Sequence, residues 1–343
     1  MRLPSLVAQV AVALRAAGTP ARGETLVLAL SGGPDSVALL DALVTLSRPR
    51  GFRLVAAHLD HRLRPGSAED AAFCVSLCDA LGVPIRLGSA DVAGRAARER
   101  GGIEQAARRE RYAFLRRVRE DVHAAAIAVA HTRDDQAETL LLRLLRGAGA
   151  TGLSGMRPRS GELVRPLLAV SRGEVMAHLR ERGLAFREDP TNADPAYSRN
   201  RVRHELLPYL EARFNPRVKR TLARTAGLLA EEAAHLRAEA EALLRRNASE
   251  TGEAICLRRA PLAGAPLAVA RVALRRALAK GGERLVPNAG QVDRVLRLAR
   301  SARASGRWLP LRGGWRVRFT RDEVRLERPA VPREKAVSSS RER

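Results

Sequence analysis

The chain has 343 residues, room for one large or two modest domains, and its 45% hydrophobic content permits a sizeable core. Lysine plus arginine number 61 against 37 aspartate plus glutamate, a formal net charge of +24 that suits a polyanionic partner, most simply nucleic acid. Three cysteines are too few for a disulfide framework, and no run is long and apolar enough to span a membrane. Lys219, Lys280 and Lys335 are the only lysines, so arginine carries nearly all the positive charge. Compositional bias can choose arginine over lysine, but it does not by itself create such a surplus.

At the N-terminus Leu3, Leu6, Val10 and Leu14 fit an amphipathic helix, and Gln9 and Arg15 interrupt what would otherwise resemble a signal peptide. A cytoplasmic protein is expected. "LVLAL" (26–30) is a short apolar run suited to a buried parallel strand. After a glycine-containing loop, Val37, Leu39, Leu40 and Leu43 take the spacing of a buried helix face. The alternation continues with a strand at 52–58, a helix over about 68–81, a strand at 83–87, a helix over about 103–120, a strand at 125–131 and a helix from near Asp134. Cys74 and Cys78, four apart, fall on one face of their helix as small core residues. This order predicts a doubly wound α/β fold with a mostly parallel sheet, whose ligands bind beyond the carboxyl ends of the strands. "SGGPDS", "HLDHRLR" and "HTRDDQAET" all fall at such ends.

Beyond "LVRPLL" (163–168) the pattern turns helical, with Ser171 as a cap and Gly183 as a stop. Residues 186–210 hold three prolines and a dense polar centre. Residues 214–304 read as helices, and 306–327 as short strands joined by a Gly-Gly and an Arg-Asp turn. The expected division is a first, α/β domain at 1–213, a mostly helical domain with a short β segment at 214–328 whose arginines suit a nucleic-acid partner, and a disordered tail at 329–343.

The loop after the first strand reads Ser31, Gly32, Gly33, Pro34, Asp35, Ser36. A glycine pair lets the backbone turn sharply and approach a ligand at a helix N-terminus, where the dipole favours an anion. An ordinary capped turn would look similar. A Walker A loop needs a lysine after its last glycine, and none is present. Asp35 beside phosphate makes sense only with Mg²⁺ between them. Ser-Gly-Gly-Pro-Asp-Ser in this strand–loop–helix setting resembles the PP-loop ATP pyrophosphatases, which cleave ATP between the α and β phosphates and adenylate an oxygen of their substrate. "AAHLDHRLRPGSAEDAAFC", "GIEQAARRERYAFL", "AHTRDDQAETLLLRLLRGAGATGLSGM", "LVRPLL" and "EDPTNADPAYSRNRVR" follow in this order. Together they closely resemble the tRNA(Ile)-lysidine synthetases over roughly residues 24–210.

That resemblance implies an ATP- and Mg²⁺-dependent enzyme acting on tRNA(Ile) with a CAU anticodon and on free L-lysine. The cytosine C2 oxygen would be adenylated and the lysine amine would then displace AMP. A metal role for His58, Asp60 and His61 is disfavoured, because adjacent strand-end residues seldom converge on one ion, and hydrogen-bonded site lining is preferred. Acids at 134, 135 and 138 suit helix capping, which accounts for one of them. The resemblance implies that His131 and Asp135 also bind substrate or activate the amine. Arg108 and Arg111, three apart on a helix, either form a solvated basic face or stabilise charge on the phosphates. Arg199, Arg201 and Arg203 suit phosphate contacts to tRNA or ATP. Longer members of the family carry a further C-terminal domain that this chain is expected to lack, and a homodimer is left open. A tRNA thiolase would be expected to carry a paired-cysteine motif, which is absent. A plain RNA-binding module fits poorly with acids and arginines gathered around one loop.

Overall fold

The computed structural model describes residues 5–62, 66–92, 94–95, 102–188, 194–251, 254–280, 288–311 and 315–327. The expected tail at 329–343 and the Gly-Gly turn at 313–314 lie outside them. Two compact units divide the chain, residues 1–230 and 231–343.

In the first unit, helix α1 (Leu6–Ala16) starts at Ser5, whose side chain accepts from the Ala8 amide, and buries Leu6, Val10 and Leu14. Strand β1 (Thr25–Ala29) is flanked on both sides by parallel partners, β2 (Arg53–Asp60) and β4 (Ala126–Ala128). With β3 (Ile85–Ser89), β5 (Arg159–Ser160) and β6 (Leu163–Val164), the sheet runs β3-β2-β1-β4-β6-β5, and only the edge strand β5 is antiparallel. The side chains of β1 alternate between two cores. Leu26 and Leu28 pack with α1, α2 (Pro34–Arg50) and α3 (Ser67–Leu81), whereas Val27 packs with Phe114, Leu115 and Val118 of α4 (Gly102–Asp121). Helices thus cover both faces, as the sequence pattern predicts. Chain order reverses at β1, because β2 leaves on one side and β4 on the other, so a crevice is expected beyond its carboxyl end.

Helices α5 (Arg133–Leu145), α6 (Ala150–Leu153) and α7 (Arg172–Arg182) follow. The buried Asp41 of α2 ties down α7: His178 Nε2 lies 2.9 Å from its Oδ2, and Arg182 donates to both carboxylate oxygens at 3.1 and 3.2 Å. Helix α8 (Ser198–Arg201) passes through a π-helical turn (Val202–Leu206) into α9 (Leu207–Arg213), and the long α10 (Val218–Asn247) starts after a short turn.

The second unit departs from the expected helical run up to 304. Two strands stand there instead, β7 (Ala248–Thr251) and β8 (Ala254–Arg258). Helices α11 (Arg259–Gly264), α12 (Leu267–Ala279) and α13 (Ala289–Arg300) follow, then β9 (Trp308–Pro310), β10 (Arg316–Phe319) and β11 (Glu323–Glu327). The antiparallel order is β7-β8-β11-β10-β9. β8 is a strand because its alternate residues Ile255 and Leu257 reach the same core as Leu326, Val324 and Phe319, partners about seventy residues away in sequence. No local periodicity announces such a pairing. The buried Arg259 donates to the carbonyls of Ala299 at 2.9 Å, Thr320 at 2.7 Å and Ser301, tying α13 to the β10–β11 turn.

Candidate active site

The loop after β1 is held from within. Ser36 Oγ donates to the Gly33 carbonyl at 2.9 Å and accepts from the Ser31 amide at 3.2 Å. Ser31 Oγ lies 3.1 Å from the same oxygen and accepts from the Gly33 amide at 3.4 Å. Gly32 takes φ +81°, which strains any other residue, and a Cβ there would stand 3.3 Å from Cys74 Sγ, a tight contact. Gly33 caps α2 with Pro34 in its first turn. From the other side, the Arg187 amide donates to the Gly32 carbonyl at 2.9 Å. The Arg187 guanidinium reaches Asp70 at 3.1 Å and Glu69 at 3.0 Å on α3. His58 Nδ1 donates to the Leu30 carbonyl at 2.9 Å, so this strand-end residue lines the loop by hydrogen bonding, and Cys74 Sγ packs 3.4 Å away. Burial pushes the thiols of Cys74 and Cys78 up to about 12 and 11, so both are inert core groups.

Asp35 stands in the first turn of α2. Its Oδ2 accepts from Arg172 at 3.2 Å, while its buried Oδ1 has no hydrogen-bond partner among the described residues. Burial raises its pKa to about 6 against the opposing charge of Arg172, with the neighbouring Asp135 and Asp134 adding to the rise. A buried carboxylate oxygen of this kind fits a hard cation.

The N-terminus of α5 supplies the rest of the negative charge. Thr132 and Asp135 form a capping box, in which Asp135 Oδ2 accepts from the Thr132 amide at 2.7 Å. Asp135 Oδ1 accepts from Arg199 at 2.7 Å and Arg203 at 3.2 Å. Glu138, only 1% exposed, takes Arg199 at 2.7 Å and Arg203 at 2.6 Å. Burial would raise the Asp135 pKa, but Arg199, the Thr132 amide, His131 and Arg203 together hold it below the ordinary value. The acid that caps the helix is therefore also the one expected at the substrate, and both of its oxygens are engaged. Asp134 points elsewhere: it accepts from the Arg172 amide at 2.9 Å and pairs with Lys219 at 3.4 Å.

His131, at the end of β4, is lowered to about 4 by burial and by the charges of Arg165, Arg108 and Arg199, against the pull of Asp135. It is neutral at physiological pH, and its buried Nδ1 has no partner among the described residues. His61 is likewise lowered to about 4, by burial and then by the charges of Arg111 and His58. Arg108 lies over the Tyr112 ring, 4.9 Å from its centroid. The charge of Arg108 bears on His131 and that of Arg111 on His61.

The structure brings Ser31–Ser36, Asp35, His131 and Asp135 to the carboxyl ends of β1 and β4. Arg199 and Arg203, expected on phosphate, are engaged with carboxylates. Sequence reasoning missed Arg172 and Arg187, and it read Glu138 only as a helix-start acid. Glu138 had a usable signal, lying three residues from Asp135 on one helix face, as Arg199 and Arg203 lie four apart. Arg172 and Arg187 had none, because their partners sit more than a hundred residues away.

This loop geometry defines a PP-loop type of nucleotide site, and the profile of the PP-loop domain family matches residues 6–210. A tRNA(Ile)-lysidine synthase of Geobacter sulfurreducens is 47% identical over 83% of this chain and 61% of its own length. That of Gloeobacter violaceus is 40% identical over 85% of this chain and 92% of its own length. The chain belongs to the PP-loop family and, within it, to the family of the tRNA(Ile)-lysidine synthases. It spans between 50% and 61% of the length of several of the relatives it matches. Among solved structures, the U34-tRNA thiolase NcsA of Methanococcus maripaludis shares the fold, with a TM-score of 0.55 at 18% identity over 66% of this chain and 78% of its own.

Proposed function

We propose that the chain joins free L-lysine to C2 of the wobble cytidine in the CAU anticodon of tRNA(Ile), using ATP and releasing AMP and pyrophosphate. The product base pairs with A rather than G and changes the codon read from AUG to AUA. The observation that carries this reading is the Ser31–Ser36 loop with an unpartnered Asp35 oxygen at its mouth, in a chain 40% identical to a lysidine synthase over 92% of that relative's length.

The loop amides and the Ser31 and Ser36 hydroxyls bind the ATP phosphates at the start of α2. The buried Asp35 Oδ1 fits Mg²⁺, a hard cation that takes one or two carboxylates plus phosphate oxygens and offsets charge at the phosphates when bound. The cytosine C2 oxygen attacks the α-phosphate, forming the O–P bond as the bond to pyrophosphate breaks. Arg108 and Arg111 stabilise the charge on the phosphates. The lysine amine then attacks C2, and AMP leaves with the C2 oxygen. His131, held neutral, accepts a hydrogen bond from the amine at Nδ1, and Asp135, fixed by Thr132, Arg199 and Arg203, orients the substrate beside it. The reacting base must leave its stack, which RNA loops permit at modest cost.

Incubation with ATP, labelled lysine and a CAU-anticodon transcript tests the reading. Label should enter the RNA with AMP and pyrophosphate as coproducts, and none should enter a transcript whose wobble base is changed. ADP and orthophosphate as products overturn it.

A further inference from the structure

The turn between α9 and α10 carries a feature that the nucleotide site does not use. Aromatic residues are only 3% of the chain. Two of them nevertheless sit side by side on the surface here: Tyr209 is 56% exposed and Phe214 71%, their ring centroids 5.9 Å apart at 61°. The exposure is not that of a frayed end. The same segment packs Leu207, Leu210, Val218 and Leu222 beneath it. The turn is closed by hydrogen bonds from the Phe214 and Asn215 amides to the Leu210 carbonyl at 3.1 and 2.9 Å, and from the Arg217 amide to Asn215 Oδ1 at 2.9 Å.

Directly after Phe214 the chain enters the wall of a cavity of about 360 Å³, lined by Pro216, Arg217, Lys219 and Arg220 together with Arg133 and Asp134. Lys219 is neutralised by Asp134 at 3.4 Å and Glu211 at 3.2 Å, and Arg133 by Glu174 at 3.3 Å. Arg217 and Arg220, both exposed, form no ion pair among the described residues, nor does the exposed Arg213 beside Phe214. Asp134 also accepts from the amide of Arg172, whose guanidinium holds Asp35, so the cavity adjoins the nucleotide loop. Exposed rings give any base a π-face, and adjacent unneutralised arginines suit the backbone between bases. A folded protein surface would offer this patch neither repeated phosphates nor splayed rings.

We propose that Tyr209 and Phe214, with Arg213, Arg217 and Arg220, form a stacking platform for unpaired bases of an RNA loop, which rests on the functional reading above. The platform holds nucleotides beside the reacting base while that base is turned toward the loop after β1.

Fluorescence anisotropy of the full chain with a labelled CAU anticodon stem-loop, and with a fully paired RNA of equal length, tests this. The double variant Tyr209→Ala, Phe214→Ala should bind the stem-loop about 10–100-fold more weakly and the paired RNA within about twofold of wild type, since stacking acts only on unpaired bases. Tyr209→Phe with Phe214→Tyr should restore loop binding. Arg217→Gln with Arg220→Gln should weaken both RNAs and reduce the magnitude of the salt slope by about 1–2. Far-UV circular dichroism confirms folding, and the conservative pair carries the test if the alanine pair unfolds: its loop affinity must stay near wild type. Unchanged stem-loop affinity, or an equal loss on both RNAs, overturns the platform. So does sedimentation showing that the aromatic variant loses a dimer while RNA binding holds, which would make the face a self-contact. Lysine transfer by the wild type is scored in parallel. If transfer fails while the aromatic variant loses loop binding, the platform stands and the reaction assignment falls. If transfer succeeds and the variant binds normally, only the platform falls.

Discussion

Asp35 is held in a condition that costs stability and that a bound cation would relieve. Its folded pKa of about 6 lies above the unfolded value near 3.8. The ionised form therefore subtracts stability progressively as pH rises between those values and fully above them. Asp35→Asn keeps the size and removes the charge, so at pH 7.5 it is expected to stabilise the first unit by about 1 kcal/mol, after allowing for partial solvation. The gain should vanish near pH 4, where the wild-type carboxyl is protonated in the fold. AMP formation should fall by orders of magnitude at the same time. Thermal melts at the two pH values, with an ATP assay, check this; a destabilised but active variant would show that Asp35 is only a helix-start residue. His131 and His61 run the other way. Their folded values of about 4 lie below the ordinary 6.5, so the stability they allow is lost as pH falls through that window.

Among the elements, α2 matters most, because it carries the phosphate loop at one end and the buried Asp41 further along. Burial alone would raise the Asp41 pKa, but hydrogen bonds from His178 and Arg182 bring it below the ordinary value. Its contribution is present above the unfolded value near 3.8 and is lost as pH falls through the folded one. Asp41→Asn leaves the buried His178 and the half-exposed Arg182 without their anion, at an expected cost of about 2 kcal/mol, below that of a fully buried pair because Arg182 reaches solvent. For a unit of this size that is a fall in Tm of about 4–8 °C at pH 7. Scanning calorimetry should show the gap to wild type closing below about pH 4. An undiminished gap there would mean that packing, rather than charge, ties α7 to α2.

At the scale of the whole molecule, the +24 charge must be placed. We propose that the second unit grips the body of the tRNA while the first performs the chemistry. Arg294, Arg297, Arg303 and Arg307 are exposed and form no ion pair among the described residues. Replacing all four by glutamine should leave lysine-independent ATP binding intact and weaken tRNA affinity. The slope of log K against log salt should shrink in magnitude by up to about 3, because each lost phosphate contact releases one fewer counterion. Filter binding over a salt series decides it: an unchanged slope would make these arginines a solvating surface only.

The sequence alone determined the doubly wound first unit and the place of its phosphate loop. Buried strands, amphipathic helices and a glycine turn are written in local periodicity, and Gly32 and Asp35 stand within one loop. It also located His131 and Asp135 at a strand end and a capped helix start, which are local signals, whereas a role at the substrate is implied only by the family resemblance. What the arginines do was decided only by the fold. Arg172 meets Asp35 across 137 positions, and Arg199 and Arg203 meet Asp135 and Glu138 across more than sixty. A guanidinium serves phosphate and carboxylate equally well, so residue type cannot choose between them. The same holds for β7 and β8, whose short alternation became strands once β11 supplied a hydrogen-bonding edge and a shared core. Partners brought together by long-range packing leave no trace in the residues on either side of them.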